Sequence, residues 1–246
     1  MRENFRPIPN LPPNSLFGKM MFHGRMMLDL QLFTVYSDVK KEVSVYKGHV
    51  LDVGCGKSPY KFLLNTSQIK YFGIDIVDAQ KFDYSNHDII SFNGEDIPFD
   101  KEKFDGVICT DVLEHVQNYQ KITDEIYRIM KFGAKGIITI PWSARYHYIP
   151  HDYFRYTPSS LKMMFSKFSN VEIRNRGTDI TVIANKIIVI WFRKFFHADV
   201  WRWIFLPLWI AISPILIIIV IIAHLSLLLN WGSNNDPLGY TIILKK

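Results

Sequence analysis

The run Val50-Leu51-Asp52-Val53-Gly54-Cys55-Gly56 constrains the fold of this chain more than any other segment. It reads as a buried strand that carries an acidic residue near its tip and ends in a glycine turn. A second apolar run, Tyr71 to Ile76, places Asp75 nineteen residues beyond Gly56. A strand, a glycine turn, a helix and a carboxylate-tipped second strand make a βαβ unit that grips a nucleoside. Glycines let the backbone close on a ligand, because a Cβ there would clash. The carboxylate accepts hydrogen bonds from two ribose hydroxyls, which a neutral side chain does only weakly.

A Gly-x-Gly turn also fits nicotinamide dinucleotides, and three features shift the balance away from them. A dinucleotide site wants a third glycine so that the helix start can approach a pyrophosphate. Ser58 and then Pro59 stand there instead. Asp52, two residues before Gly54, would repel a pyrophosphate and suit a cationic ligand. Downstream, Gly94-Glu95-Asp96-Ile97-Pro98-Phe99 and the run from Phe104 through Asp111-Val112-Leu113-Glu114-His115-Val116 follow in a telling order. With these motifs the chain resembles the class I S-adenosylmethionine-dependent methyltransferases, over about residues 48 to 176 and again at its C-terminus.

The resemblance implies a Rossmann-like α/β fold: a seven-stranded, mostly parallel sheet whose last strand is antiparallel. S-adenosylmethionine would lie across the C-terminal ends of strands one to four. Asp52, Gly54, Cys55 and Gly56 would line its methionine part. Asp75, with Ile76 beside it, would take the ribose, and Asp96 and Ile97 the adenine. Asp111 would begin the loop after strand four.

Strands are expected at 49–53, 71–76, 88–91, 104–110, 134–141, 171–174 and 240–244, from their apolar and β-branched content. Helices are expected at 60–64, 119–130 and 158–168, the second closed by Lys131-Phe132-Gly133. Leu16 to Val45 reads as one helix with a loose apolar face of Met20, Met21, Met26, Met27, Leu28, Leu30 and Leu32. The domain plan is an arm and helical lid at 1–47, a core at 48–177, an apolar insert at 178–235 and a returning strand at 236–246. Cys55 and Cys109 read as small buried hydrophobes in a reducing compartment. Residues 1 to 18 have no apolar core of a secretory signal, so a cytoplasmic domain is expected.

The insert is the second constraint. From Ile204 to Trp231 no formally charged residue occurs across 28 positions. As a straight helix that stretch is about 42 Å long, against roughly 30 Å of hydrocarbon. Trp201, Trp203, Trp209 and Trp231 stand near its ends, where indoles favour a membrane interface. Arg174, Arg176, Lys186, Arg193, Lys194 and Arg202 read as a basic approach to anionic lipid, consistent with the net charge of +6. Because the last strand must rejoin the sheet, a single crossing would leave it on the wrong side. The insert therefore dips and turns back, with Pro207 and Pro214 breaking it, or lies in the interface at the cytoplasmic face. Two legs, Thr181 to Phe196 and 208–231, are the alternative. The first leg spans only about 24 Å and holds Lys186, so it makes a poor full crossing. The bland alternative is a buried helix pair or a homodimer contact. Nucleic acid is not an expected partner, because the positive charge clusters beside apolar sequence.

Methyl transfer is an in-line displacement at a sulfonium, and a hydroxyl acceptor must also lose a proton. His115, after strand four, is the first candidate base; the alternative is a histidine that merely bonds a neighbouring loop. The stretch from Pro141 to Thr157 follows strand five and is dense in polar, aromatic and ionisable groups. It supplies His151 as the second candidate base and His147, Tyr153, Arg155 and Tyr156 as candidate acceptor contacts. Residues 151–161 also resemble the corresponding segment of methyltransferases among cell-surface glycan enzymes. Arg155 suits a phosphate or carboxylate, or else a salt bridge within the loop. His147, His151 and Asp152 have a metal-like spacing on a helix, but Pro150 argues against helix there, so no metal is expected. The resulting expectation is a membrane-face methyltransferase for a hydroxyl or carboxylate on a lipid-linked glycan or similar amphiphile. A methyltransferase for a prenylated quinone precursor and a non-catalytic, cofactor-binding membrane scaffold are the alternatives.

Overall fold

A computed structural model describes residues 8–76, 89–196 and 200–246. Seven strands form one sheet: β1 (Gly48–Val53), β2 (Ile69–Ile76), β3 (Ile90–Phe92), β4 (Phe104–Thr110), β5 (Met130–Pro141), β6 (Asn170–Arg176) and β7 (Gly239–Lys245). Their order is β3-β2-β1-β4-β5-β7-β6, parallel except for β7, which runs antiparallel to both neighbours. The chain reverses direction across the sheet between β1 and β4, the place where such folds bind ligands.

The strands read as continuous apolar runs because helices cover both faces of the sheet. Leu51, Val107, Ile138 and Ile242 point to one face. There they meet Ile122, Ile126 and Ile129 of α3 (Tyr119–Ile129) and Leu161 and Met164 of α4 (Pro158–Met164). Their neighbours Val50, Ile108, Ile137 and Ile243 point to the other face. Against that second face pack Val35, Val39 and Val43, four residues apart on one stripe of α2 (Leu30–Val43). Each such aliphatic side chain contributes roughly 1.5–3 kcal/mol by leaving water.

The single helix expected over 16–45 is two. Asp29 separates α1 (Leu16–Leu28) from α2: its backbone N–H closes α1 on Arg25 O, and its carboxylate caps α2 by accepting from Leu32 N at 3.0 Å. Helix α2 is thus a core helix rather than part of a lid. Of the expected apolar face, Met26, Leu30 and Leu32 are buried, while Met20, Met21 and Met27 are exposed.

Other boundaries move for local reasons. The helix expected at 60–64 is only a 3-10 turn, Lys61–Leu63. Strand three is Ile90–Phe92, and Asp88 lies outside the described residues. Helix α4 stops at Met164, short of Phe168. Helix α3 stops at Ile129, and Lys131-Phe132-Gly133 belongs to β5 rather than to a helix end. Here Met130 pairs with Phe104 and Lys131 binds the Asp105 carboxylate of β4 at 2.7 Å, which draws the segment into the sheet.

The insert is a helical hairpin of α5 (Asp179–Phe196) and α6 (Val200–Leu229). Pro207 and Pro214 lie inside α6 and do not end it. The hairpin is pinned at its base: Thr178 Oγ1 lies 2.8 Å from Ser226 Oγ and donates to Trp231 O at 2.9 Å. Ser233 N donates to Asp179 Oδ1 at 2.9 Å. The chain therefore returns to the sheet where it left it. Val182, Ala184 and Ile188 pack against Leu216, Ala223 and Leu30, but most of α6 is uncovered. The side chains of Trp201 and Arg202 lie outside the described residues.

The basic approach expected for this region does not form as a unit. Arg176 is buried in the core, Arg174 is paired to Glu172 and Glu42, and Lys186 Nζ donates to Ser143 O. Glu172 is a local partner of Arg174, while Glu42, Ser143 and the groups around Arg176 come from sequence-distant elements that no local count of charge reveals.

Candidate active site

The glycine turn after β1 is built around Asp75. Gly56 N donates to Asp75 Oδ2 at 2.7 Å and Ile76 N to Oδ1 at 2.8 Å. The carboxylate's orientation is therefore set by the backbone N–H groups of Gly56 and Ile76. Gly54 has φ +66°, and a Cβ on it would come within 2.5 Å of Val112 Cγ2. The turn is a cradle that only glycine leaves open, as a nucleoside ligand requires. Ser58 occupies the third-glycine place with φ 54°, its N–H bonded to Cys55 O.

Asp52 lies beneath this turn. It is buried and accepts from Tyr71 Oη at 2.9 Å. Burial pushes its carboxyl up to about 7; the Tyr71 bond works against that and the Asp75 charge adds to it. Cys55 is buried and reduced, as is Cys109. Beyond β3, Gly94 stands against Ile76 at the end of β2. Asp96 is exposed and engaged by Lys121 at 2.8 Å and by Asn93 Nδ2 at 3.0 Å. Ile97 is a core residue whose N–H donates to Glu125 Oε2 at 2.9 Å. In this geometry both residues hold the loop to α3.

The loops after β4 and β5 close on each other. Tyr153 N and Phe154 N donate to Glu114 O at 2.8 and 3.3 Å, and Tyr156 Oη donates to Leu113 O at 3.1 Å. His115 Nδ1 lies 2.6 Å from the carbonyl of His151, so the two candidate bases are brought together through ring and backbone. The His151 ring bonds Tyr153 Oη at 3.0 Å. Burial, reinforced by neighbouring His147, lowers the His115 imidazole to about 4, so it is neutral at physiological pH.

Arg155 is a fastening within the loop. Its guanidinium forks onto Asp152 at 2.5 and 2.7 Å and also reaches Arg145 O. His147 shares Asp152, with Nδ1 2.9 Å from Oδ2. Burial pushes the Asp152 carboxyl up, but the bonds from Arg155 and His147 outweigh it and hold it well below the usual range. Tyr156, the other candidate acceptor contact, is buried beside Tyr119. Of His147, His151 and Asp152, His147 and Asp152 meet directly, at 2.9 Å.

Two contributors had no sequence signal. Tyr71 holds Asp52 from the neighbouring strand. Arg176, at the end of β6, runs across Gly239 to reach Ile140 O at 3.1 Å and stands 3.5 Å from the Asp111 carboxylate. A Cβ on Gly239 would occupy the path of that guanidinium. Asp111 itself, φ 51°, also accepts from Thr139 Oγ1 at 2.9 Å.

This arrangement has known counterparts. Residues 51–138 match the methyltransferase domain family. A similar uncharacterized protein of Methanocaldococcus jannaschii is 36% identical over 91 residues, which are 37% of this chain and 40% of that protein. Demethylmenaquinone methyltransferase of Symbiobacterium thermophilum is 32% identical over 103 residues, 36% of this chain and 41% of that one. The chain thus spans less than half the length of these two curated relatives. A SAM-dependent methyltransferase from Archaeoglobus fulgidus shares the fold with a TM-score of 0.54, over 86% of this chain and 93% of that one at 20% identity. Fold and matched segment together define a class I S-adenosylmethionine-dependent methyltransferase domain. S-adenosylmethionine is the cofactor of that domain, and the Gly54 cradle with its preset Asp75 carboxylate fits it.

Proposed function

We propose that the whole chain is a methyltransferase working at the cytoplasmic membrane face on an amphiphilic acceptor, a hydroxyl or carboxylate of a lipid-linked glycan. One observation carries the membrane part. The α5–α6 hairpin is fixed beside the candidate acceptor loop, with Lys186 Nζ on Ser143 O at 2.9 Å, while its outer surface is uncovered. Trp203, Ile204, Ile217 and Leu228 are each more than 60% exposed. Exposed apolar area of this extent marks a membrane or protein contact. The hairpin geometry supports a monotopic arrangement, since both ends return to the core.

Bound S-adenosylmethionine would supply an electrophilic methyl group on a sulfonium. In this reading Asp75 holds the ribose, and the turn from Gly54 to Gly56 admits the donor's methionine end above Asp52. Asp111 opens the loop that borders the methyl group. His115, fixed by the His151 carbonyl, presents its other ring nitrogen as a proton acceptor, and His151 serves from the facing loop.

The alternative acceptor is a prenylated quinone precursor. It is favoured by the match to a demethylmenaquinone methyltransferase. Flotation on anionic phospholipid vesicles tests the membrane part: the wild type should float, and Ile217→Glu/Ile221→Glu should stay in the dense fraction. A wild type that does not float removes the membrane assignment. Labelled methyl transfer to purified glycolipids against prenylated phenols then decides between acceptors.

A further inference from the structure

Where the two loops meet, three side chains are arranged for a ligand that no part of the methyl-donor site requires. One ligating atom from each of Glu114, His115 and His147 lies within 4.8 Å of the others. Glu114 is fully buried, and neither of its carboxylate oxygens has a hydrogen-bond partner. Its Oε1 stands 3.6 Å from His115 Nε2, too far for a hydrogen bond and suited to two ligands of one ion. A buried carboxylate with both oxygens unserved costs several kcal/mol unless something else compensates it. The ring of His115 lies edge-on to His147 at 4.9 Å and to Tyr148 at 5.5 Å.

The histidines are oriented in the way metal-binding imidazoles are. A ligating histidine commonly gives its other ring N–H to a carbonyl or carboxylate, which fixes tautomer and ring direction. His115 Nδ1 meets the His151 carbonyl at 2.6 Å. His147 Nδ1 meets Asp152 Oδ2 and Arg145 O, each at 2.9 Å. With Nδ1 as the donor in both rings, Nε2 is left as the nitrogen that carries a lone pair. Arg155, locked onto Asp152, in turn holds the carboxylate that orients His147.

We propose that Glu114, His115 and His147 form a binding site for one divalent transition-metal cation, with open coordination positions toward the acceptor loop. Two imidazoles and one carboxylate suit Zn²⁺, Fe²⁺ or Mn²⁺ more than a hard cation such as Ca²⁺. Ligands of such an ion stand roughly 3.4 Å apart at metal–ligand distances near 2.1 Å. The Glu114–His115 spacing of 3.6 Å is close to this already, and a separation at the 4.8 Å bound closes by about 1.4 Å of combined side-chain movement. With the ion bound, His115 Nε2 is a ligand and not a proton acceptor; the open positions would orient an acceptor oxygen and lower its proton affinity, and His151 would take the proton. The site stands on its own geometry; only that role rests on the methyl-transfer reading.

Calorimetric titration of the full-length protein, stripped with chelator, against Zn²⁺ and separately Mn²⁺ tests the site. One cation per chain is expected, with at least ten-fold weaker binding in Glu114→Gln and His147→Gln. Co²⁺ in the wild type should add visible absorption bands of a nitrogen- and oxygen-ligated ion, a readout independent of any variant's folding. A wild type that binds none of these ions, or a folded Glu114→Gln that binds as the wild type does, overturns the proposal. Cation binding in a protein that transfers no methyl group would leave the site standing and remove the methyl-transfer reading instead.

Discussion

Arg176 reaches Asp111 from the far side of the sheet: its side chain is fully buried, and Nη2 stands 3.5 Å from the carboxylate that begins the loop after β4. Its Nε has no hydrogen-bond partner, while its other nitrogens contact Ile140 O, Gln31 and Thr34. Among the described residues Asp111 is its ion-pair partner. Asp111→Asn leaves a buried cation facing a neutral amide, and removal of one member of a buried pair costs about 3–5 kcal/mol. Because Asp111 is 39% exposed, the lower end of that range is expected. Urea unfolding would show it, and a change under about 1 kcal/mol would mean the guanidinium is satisfied without Asp111.

Arg155→Lys tests whether the forked contact to Asp152 orders the acceptor loop. Lysine keeps the charge and cannot make two parallel bonds to one carboxylate. A loss of about 1–2 kcal/mol is expected, since a charge-assisted hydrogen bond contributes roughly that amount. Faster proteolysis within residues 142–157 should accompany it, with the core strands unaffected in hydrogen exchange. Unchanged proteolysis would show that the backbone bonds to Glu114 O suffice.

Asp52 gives a pH dependence of defined sign. Its carboxyl is raised to about 7 in the folded protein, from an ordinary value of 3.8, by burial first and Asp75 second. A raised folded value means the native state binds the proton more tightly than the unfolded chain does. The associated stability is complete below about pH 4, declines as pH rises and is gone above about 7. Asparagine cannot ionise and still accepts from Tyr71. Asp52→Asn should therefore flatten the decline, gaining on the order of 4 kcal/mol over the wild type at pH 8 relative to pH 4. Parallel slopes for the two proteins across that range would contradict it.

The parts of this fold that sequence reveals are those where a residue's type settles its own environment. Val50 and Leu51, or Ile137 and Ile138, alternate between two apolar faces, so the strands are visible without knowing what covers them. The glycine turn is equally visible, since only glycine serves at Gly54. What stays hidden depends on a distant partner. Arg176 counts as surface charge until Gly239 and Ile140, contributed by other strands, make a tunnel for it. Arg155 suggests an anion site until Asp152 turns onto it. His115 and His151 are separately visible as loop residues after strands, but the bond between them exists only because the loops after β4 and β5 fold together. The break at Asp29 was hidden for a different reason: the apolar spacing of the two helices happens to remain in phase through the cap.

Gly54→Ala joins the turn to the loop that carries His115. An alanine at φ +66° costs about 1–2 kcal/mol on its own. Its Cβ would also stand 2.5 Å from Val112 Cγ2, and Val112 immediately precedes the Leu113–His115 turn. Relief of that clash displaces either the glycine turn or the loop after β4, and both border the proposed donor site. Donor affinity should fall more than ten-fold by calorimetry, with stability lower by about 2–3 kcal/mol. Shortening the opposing residue separates the two causes. Val112→Ala in the Gly54→Ala background removes the methyl groups that meet the new Cβ, so it should restore the steric share and leave the backbone share. A double variant as impaired as Gly54→Ala alone would show that backbone strain, not the approach of the two loops, governs the turn.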